Sequence, residues 1–231
     1  MLRILPMLLC IPLLTGWISP RVTQARPDDM ERLSRHAFPE PVVLIDAGHG
    51  GIDGGTSFQE ILEKDINLDI SRKLYLLLKS KGYTAALNRS EDYALSDENQ
   101  WLKNRSRHLR DLAQRKGLSD ELTTSIVVSI HVNWANSQKK RGPLVLHQNE
   151  GKSAFLAWAI QNALNSLYGT RSLPTLGKPF YLLNHIGYPA VIVETGFLSS
   201  PEDRVMLTGS KGQMDVAKVI AAGIMEYFTE I

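Results

Sequence analysis

Apolar positions along this chain alternate between two spacings. Residues 41–46, Pro-Val-Val-Leu-Ile-Asp, form a continuous apolar run that ends at glycines, the pattern of a strand buried on both faces. From Lys64 to Lys81 the spacing changes. Ile66, Ile70, Leu74, Leu77 and Leu78 share one helical face, and Gly82 stops the pattern. Further strands are predicted at residues 83–87, 125–130, 144–146, 180–183 and 190–193. Further helices are predicted at 100–116 (Leu102, Arg105, Leu109, Leu112, ending at Gly117), 155–167 (Leu156, Ile160, Leu164, Leu167) and 213–228 (Val216, Ile220, Ile224, Phe228). Strands alternating with helices predict a single-domain α/β fold around a mostly parallel sheet.

Composition narrows the picture. The chain has 231 residues, of which 43% are hydrophobic and 22% charged, with a net charge of +2. One sizeable domain fits that length, and the balance is far from a nucleic-acid footprint. Its one cysteine, Cys10, excludes an intrachain disulfide and a cysteine metal cluster, so any metal must be held by histidines and carboxylates. Arg3 precedes an apolar run from Ile4 to Leu14 that continues to Ile18, with a tolerable cleavage signal at Thr23-Gln24-Ala25. Residues 1–25 read as a signal peptide or N-terminal membrane anchor, with Cys10 as apolar filler, and a buried core helix is the plainer alternative. Residues 26–40 read as a linker and 41–231 as the folded domain.

Four polar residues stand at or beyond the carboxyl ends of predicted strands, where open α/β folds place ligands. His49 follows the first strand in Asp46-Ala47-Gly48-His49-Gly50-Gly51. His131 ends the third in Ser129-Ile130-His131-Val132-Asn133, and Glu194 closes the last in Val193-Glu194-Thr195-Gly196. Glu63 opens the first helix. Two imidazoles and one carboxylate are a ligand set for catalytic zinc with a fourth position open, and zinc lowers the pKa of a bound water to roughly 7. His49, Glu63 and His131 are therefore the candidate ligands and Glu194 the candidate general base. Asp46 is a candidate partner that orients a ligand imidazole. Each has a plainer reading taken singly: a histidine at a strand end is commonly a loop residue, and an acid at a helix start complements the macrodipole. His36, His108, His147 and His185 read as structural or surface residues, and Trp134 as packing or a groove wall.

Together, Asp46-Ala47-Gly48-His49-Gly50-Gly51, Leu62-Glu63-Lys64-Asp65, Ser129-Ile130-His131-Val132-Asn133 and Glu194-Thr195-Gly196-Phe197-Leu198-Ser199-Ser200-Pro201-Glu202-Asp203 resemble the four signatures of the zinc N-acetylmuramoyl-L-alanine amidase family, in its order. Arg89 and Pro189-Ala190 match its habits too. Ala47 stands where the family has proline, and Ser200 where it has asparagine. The resemblance implies a mixed six-stranded sheet with helices on both faces. It also implies zinc on His49, Glu63 and His131, catalysis by Glu194, and hydrolysis of the bond between N-acetylmuramic acid and L-alanine in peptidoglycan. Asp46, Arg89 and Asn133 are candidates for substrate binding or ligand support.

A bare catalytic domain behind one N-terminal segment, with the basic run Asn104-Arg105-Ser106-Arg107-His108-Leu109-Arg110, resembles the sporulation branch that makes muramic δ-lactam in spore cortex. That branch implies an extracytoplasmic protein, secreted or membrane-anchored, in the forespore intermembrane space, with an accessory lipoprotein as a partner. A zinc carboxypeptidase-like peptidase and a non-catalytic wall-binding relative are the alternatives.

Overall fold

The computed structural model describes residues 41–231, so the expected leader at 1–25, the linker at 26–40 and His36 lie outside the described residues. Eight strands and six helices follow in order: β1 (Val42–Ala47), β2 (Ser57–Phe58), β3 (Ile61–Leu62), α1 (Glu63–Ser80), β4 (Ala85–Leu87), a 3-10 turn (Leu95–Asp97), α2 (Arg107–Glu121), β5 (Thr124–Asn133), β6 (Leu144–His147), α3 (Gly151–Tyr168), β7 (Thr175–Leu176), α4 (Tyr181–His185), β8 (Ala190–Phe197), α5 (Pro201–Thr208) and α6 (Ser210–Glu230). Six strands form one sheet in the order β4-β1-β5-β8-β6-β7, and β2 and β3 make a separate small hairpin. β4, β1, β5 and β8 run parallel, while β6 pairs antiparallel to β8 and carries β7 parallel to itself. The expected mixed six-stranded α/β sheet is the observed one.

Side-chain alternation along the strands sorts the core into two layers. Val43 and Ile45 of β1, Ile126, Val128 and Ile130 of β5, and Val191 and Val193 of β8 pack with the apolar stripes of α1, α3 and α6. Val42, Leu44, Val127, Ala190 and Ile192 face the other way, toward Leu112 and Leu118 of α2 and Leu182 and Leu183 of α4. The same parity carries Asp46, Ser129, His131 and Glu194 to the face covered by α2 and α4. β5 and β8 are in register with His131 opposite Glu194, so these two side chains leave the sheet side by side.

Three expectations are corrected. The helix predicted from residue 100 begins at Arg107, because Ser106 caps it by accepting from Leu109 N–H at 3.2 Å. Upstream, Asn99 and Asn104 accept from Leu102 and Ser106 N–H, holding the chain in turns rather than helix. Gly117 lies inside α2, which runs on to Glu121. The strand predicted at 180–183 is the short helix α4. An apolar run of four residues has no periodicity to separate the two states, and the edge position goes instead to Thr175–Leu176. Helix α5 follows Ser200, whose side chain accepts from Asp203 N–H; serine there does the capping work that asparagine also does.

Candidate metal centre and active-site groove

The carboxyl ends of β1, β5 and β8 share one edge of the sheet, and the N-terminus of α1 reaches the same edge. His49, Glu63 and His131 meet there, each offering a ligand atom within 4.8 Å of the others. Glu63 is the hub. Its Oε1 lies 3.2 Å from His49 Nε2 and 2.9 Å from His131 Nδ1, and accepts from Val132 N–H at 3.0 Å. Its Oε2 accepts from Thr56 N–H at 2.8 Å. Both oxygens of a buried carboxylate are thus held in place.

Two glycines give the ligands their room. A Cβ at Gly48 would stand 2.4 Å from His131 Cε1, so only a bare backbone lets that ring lie across it. Gly55 has a φ of +68°, and a Cβ there would sit 2.5 Å from Glu63 Oε2 and 2.7 Å from His49 Cδ2. His49 itself has a φ of 60°, a conformation that costs a non-glycine residue about 1–3 kcal/mol and needs support from its surroundings.

Two buried arginines supply the support. Arg115 of α2 donates to His49 O at 2.8 Å and Ala47 O at 2.9 Å, and pairs with Asp46 at 2.7 Å and Asp111 at 2.6 Å. Arg89, after β4, donates to Ala47 O, Gly48 O, Lys64 O and Glu91 O. It holds the ligand loop from behind.

The expected supporting residues therefore divide. Asp46 does not hydrogen-bond a ligand imidazole; it receives Arg115, Asn88 and Ser129 and anchors the loop base. The carboxylate on the ligand ring is Asp53, 3.1 Å from His49 Nδ1. Arg89 acts on backbone, and Asn133 lines the groove while its side chain accepts from Trp134 N–H. Asp53 and Arg115 were not singled out in the sequence. The signal for Asp53 is its place four residues after His49 in the same glycine-rich turn. Arg115 carried none, because a lone arginine on a helix reads as solvated.

Electrostatics follow the geometry. Burial of the His49 ring opposes its charge, but the bonds to Asp53 and Glu63 prevail and carry its pKa up to about 9, so a metal ion competes with a proton there. Burial alone would raise Glu63, yet the His131 and His49 bonds hold it well below the usual carboxylate range. Glu194 is different. Burial pushes its carboxyl up, His131 opposes and Glu63 reinforces, and its Oε2 is buried with no hydrogen-bond partner. A groove of about 420 Å³ opens over these residues, lined by His108, Asp111 and Leu112 of α2, by Trp134 and by residues 179–182.

Two imidazoles and a carboxylate at these separations, in a cradle cut from glycine, fit a single tetrahedral metal ion with one position left open. The model of the N-acetylmuramoyl-L-alanine amidase family matches residues 43–226. A germination-specific N-acetylmuramoyl-L-alanine amidase of Bacillus subtilis (strain 168) is 32% identical over 191 residues, covering 82% of this chain and 80% of that protein. Among solved structures, the CwlD amidase from Clostridioides difficile in complex with the GerS lipoprotein is 30% identical with a TM-score of 0.77. That match covers 83% of this chain and all of the other. The catalytic domain of the CwlV amidase from Bacillus (Paenibacillus) polymyxa var. colistinus is 29% identical with a TM-score of 0.70 over 82% of this chain and 99% of that one. A match over nearly all the described residues, on the fold and ligand cradle found here, places this chain in the N-acetylmuramoyl-L-alanine amidase family.

Proposed function

We propose that this chain is a zinc-dependent N-acetylmuramoyl-L-alanine amidase in which His49, Glu63 and His131 hold the ion and Glu194 is the catalytic acid and base. Family membership supports this reading over the carboxypeptidase-like and non-catalytic alternatives. One observation carries the reading: three ligand atoms within 4.8 Å of one another, beside a buried carboxylate oxygen that no other group satisfies. Bound there, zinc supplies Lewis-acid polarisation of a carbonyl and acidifies water. Asp53 fixes which nitrogen His49 offers, and Glu63, tied to Thr56 and Val132, keeps the two rings together. Glu194 takes a proton from the water that adds to the scissile carbonyl carbon. It delivers that proton to the L-alanine nitrogen as the C–N bond breaks, so the peptide leaves as a neutral amine. A pKa raised by burial suits a group that must both take and return a proton near neutral pH.

Similarity to the germination-specific amidase and to CwlD supports a role in spore cortex, in making muramic δ-lactam. The GerS complex of the similar C. difficile protein supports an accessory lipoprotein as partner. A wall substrate and the N-terminal segment support action outside the cytoplasm, in the forespore intermembrane space, with residues 41–231 as the catalytic unit. Among the described residues no helix is long and apolar enough to cross a membrane.

Digestion of intact peptidoglycan by the zinc-loaded chain is expected to release free L-alanine N-termini, to stop with a chelator and to resume with zinc. Release of C-terminal residues without new L-alanine N-termini sinks the reading. Spores of a strain lacking the chain are expected to have cortex without muramic δ-lactam.

A further inference from the structure

The groove over the metal centre is lined by two unlike sets of side chains. His108, Asp111 and Asp53 are groups that hydrogen-bond. Trp134, which is 44% exposed, Phe180, which is 37% exposed, and Pro179 and Tyr181 are aromatic or apolar. The scissile bond joins two unlike halves as well: a pyranose, whose C–H faces are apolar, and a stem peptide of amides and carboxylates.

We propose that Trp134 and Phe180 form the sugar subsite, so the muramoyl ring lies against these aromatic faces and the stem peptide meets the polar lining. This rests on the amidase reading of the same site. Exposed aromatic surface in a groove is costly unless something covers it. Other exposed tryptophans are accounted for locally: Trp101 donates to Gln114 at 3.1 Å, and Trp158 stacks on Phe155 at 6.0 Å. Among the described residues, the indole of Trp134 has no hydrogen-bond or ring partner, and neither does the ring of Phe180.

The backbone is hydrogen-bonded at both aromatics. Trp134 lies three residues past His131, with its backbone N–H on Asn133 Oδ1 at 2.8 Å. Phe180 precedes α4, its N–H donating to Gly177 O at 3.2 Å, and the next residue, Tyr181, is stacked on His185 at 4.0 Å. An aromatic face carries partial negative charge and attracts polarised C–H bonds, and the indole N–H remains free to donate to a sugar oxygen.

The test is inhibition of the zinc-loaded full chain by its two products separately: the peptide-free GlcNAc–MurNAc disaccharide and the free stem peptide. In Trp134→Ala and Phe180→Ala, the inhibition constant of the disaccharide is expected to rise roughly five- to tenfold. That of the peptide stays put, zinc content is unchanged, and Trp134→Phe keeps most of the wild-type sugar affinity. With wild type, the disaccharide is also expected to shift tryptophan emission, and the shift is lost in Trp134→Phe; this measurement stands even where Trp134→Ala fails to fold. A rise in the peptide constant instead, or no rise in either, overturns the assignment. Failure of the amidase reading itself looks different: wild type then neither turns over wall substrate nor binds either product.

Discussion

Replacing Arg115 by methionine removes the guanidinium that joins α2 to the ligand loop while keeping the aliphatic bulk. Four bonds of 2.6–2.9 Å disappear at once, to Asp111, Asp46, Ala47 O and His49 O. Asp46, 2% exposed, keeps only Ser129 and Asn88. Breaking a buried ion pair from one side costs about 3–5 kcal/mol, because the remaining charge is stranded in a poor solvent. Against a total stability of about 5–15 kcal/mol that is a large share. Urea unfolding of the metal-free protein at pH 7 measures it, and a loss under about 1 kcal/mol refutes the claim that Arg115 offsets the burial of Asp46.

The pH dependence adds a second check. In wild type, burial alone would raise the Asp46 pKa, but Arg115 and Ser129 lower it below the ordinary 3.8. A depressed carboxyl contributes stability that is present above its unfolded pKa and lost as the pH falls through the folded value. Without Arg115, burial is opposed only by the Ser129 and Asn88 bonds and the more distant His131, and the folded pKa is expected to rise above the unfolded one. The contribution then changes sign, so the variant's deficit is expected to widen as pH climbs from about 4 to 7. A deficit independent of pH contradicts the assignment to Asp46.

Two further variants probe the centre. Gly48→Ala places a methyl 2.4 Å from the His131 ring, so zinc affinity in competition with a chromophoric chelator is expected to fall at least about tenfold. Unchanged affinity would mean the ring is free to move aside. Glu194→Ala is expected to keep the fold and one zinc while kcat on peptidoglycan drops by roughly 10²–10⁴; near-normal turnover removes Glu194 from the proton transfers.

Much of this fold was legible because β1, β5 and β8 carry continuous apolar runs, and because α1, α3 and α6 keep an apolar stripe. The placement of His131 and Glu194 was legible for a related reason. Both lie toward the carboxyl ends of neighbouring parallel strands, so topology alone brings them to one edge. What the sequence hid has physical causes. α4 has five residues, too few to display a period. The 3-10 turn is held by Asp111, which accepts from Ser96 N–H, and the segment before α2 by Asn99 and Asn104, bonds that a hydrophobic pattern does not register. Arg115 reads as one more charge on a polar helix until Asp46 and Asp111 are seen to face it. His108, read as a structural or surface residue, lines the groove from the first turn of α2.

The most direct measurement is metal content, by mass spectrometry on zinc-equilibrated and desalted protein, for wild type beside His49→Ala, Glu63→Ala and His131→Ala. One zinc per wild-type chain and loss of tightly held metal in all three variants, with far-ultraviolet circular dichroism unchanged, is the expected result. A full equivalent of zinc retained by folded His49→Ala or His131→Ala would contradict the metal centre on which the proposed chemistry depends.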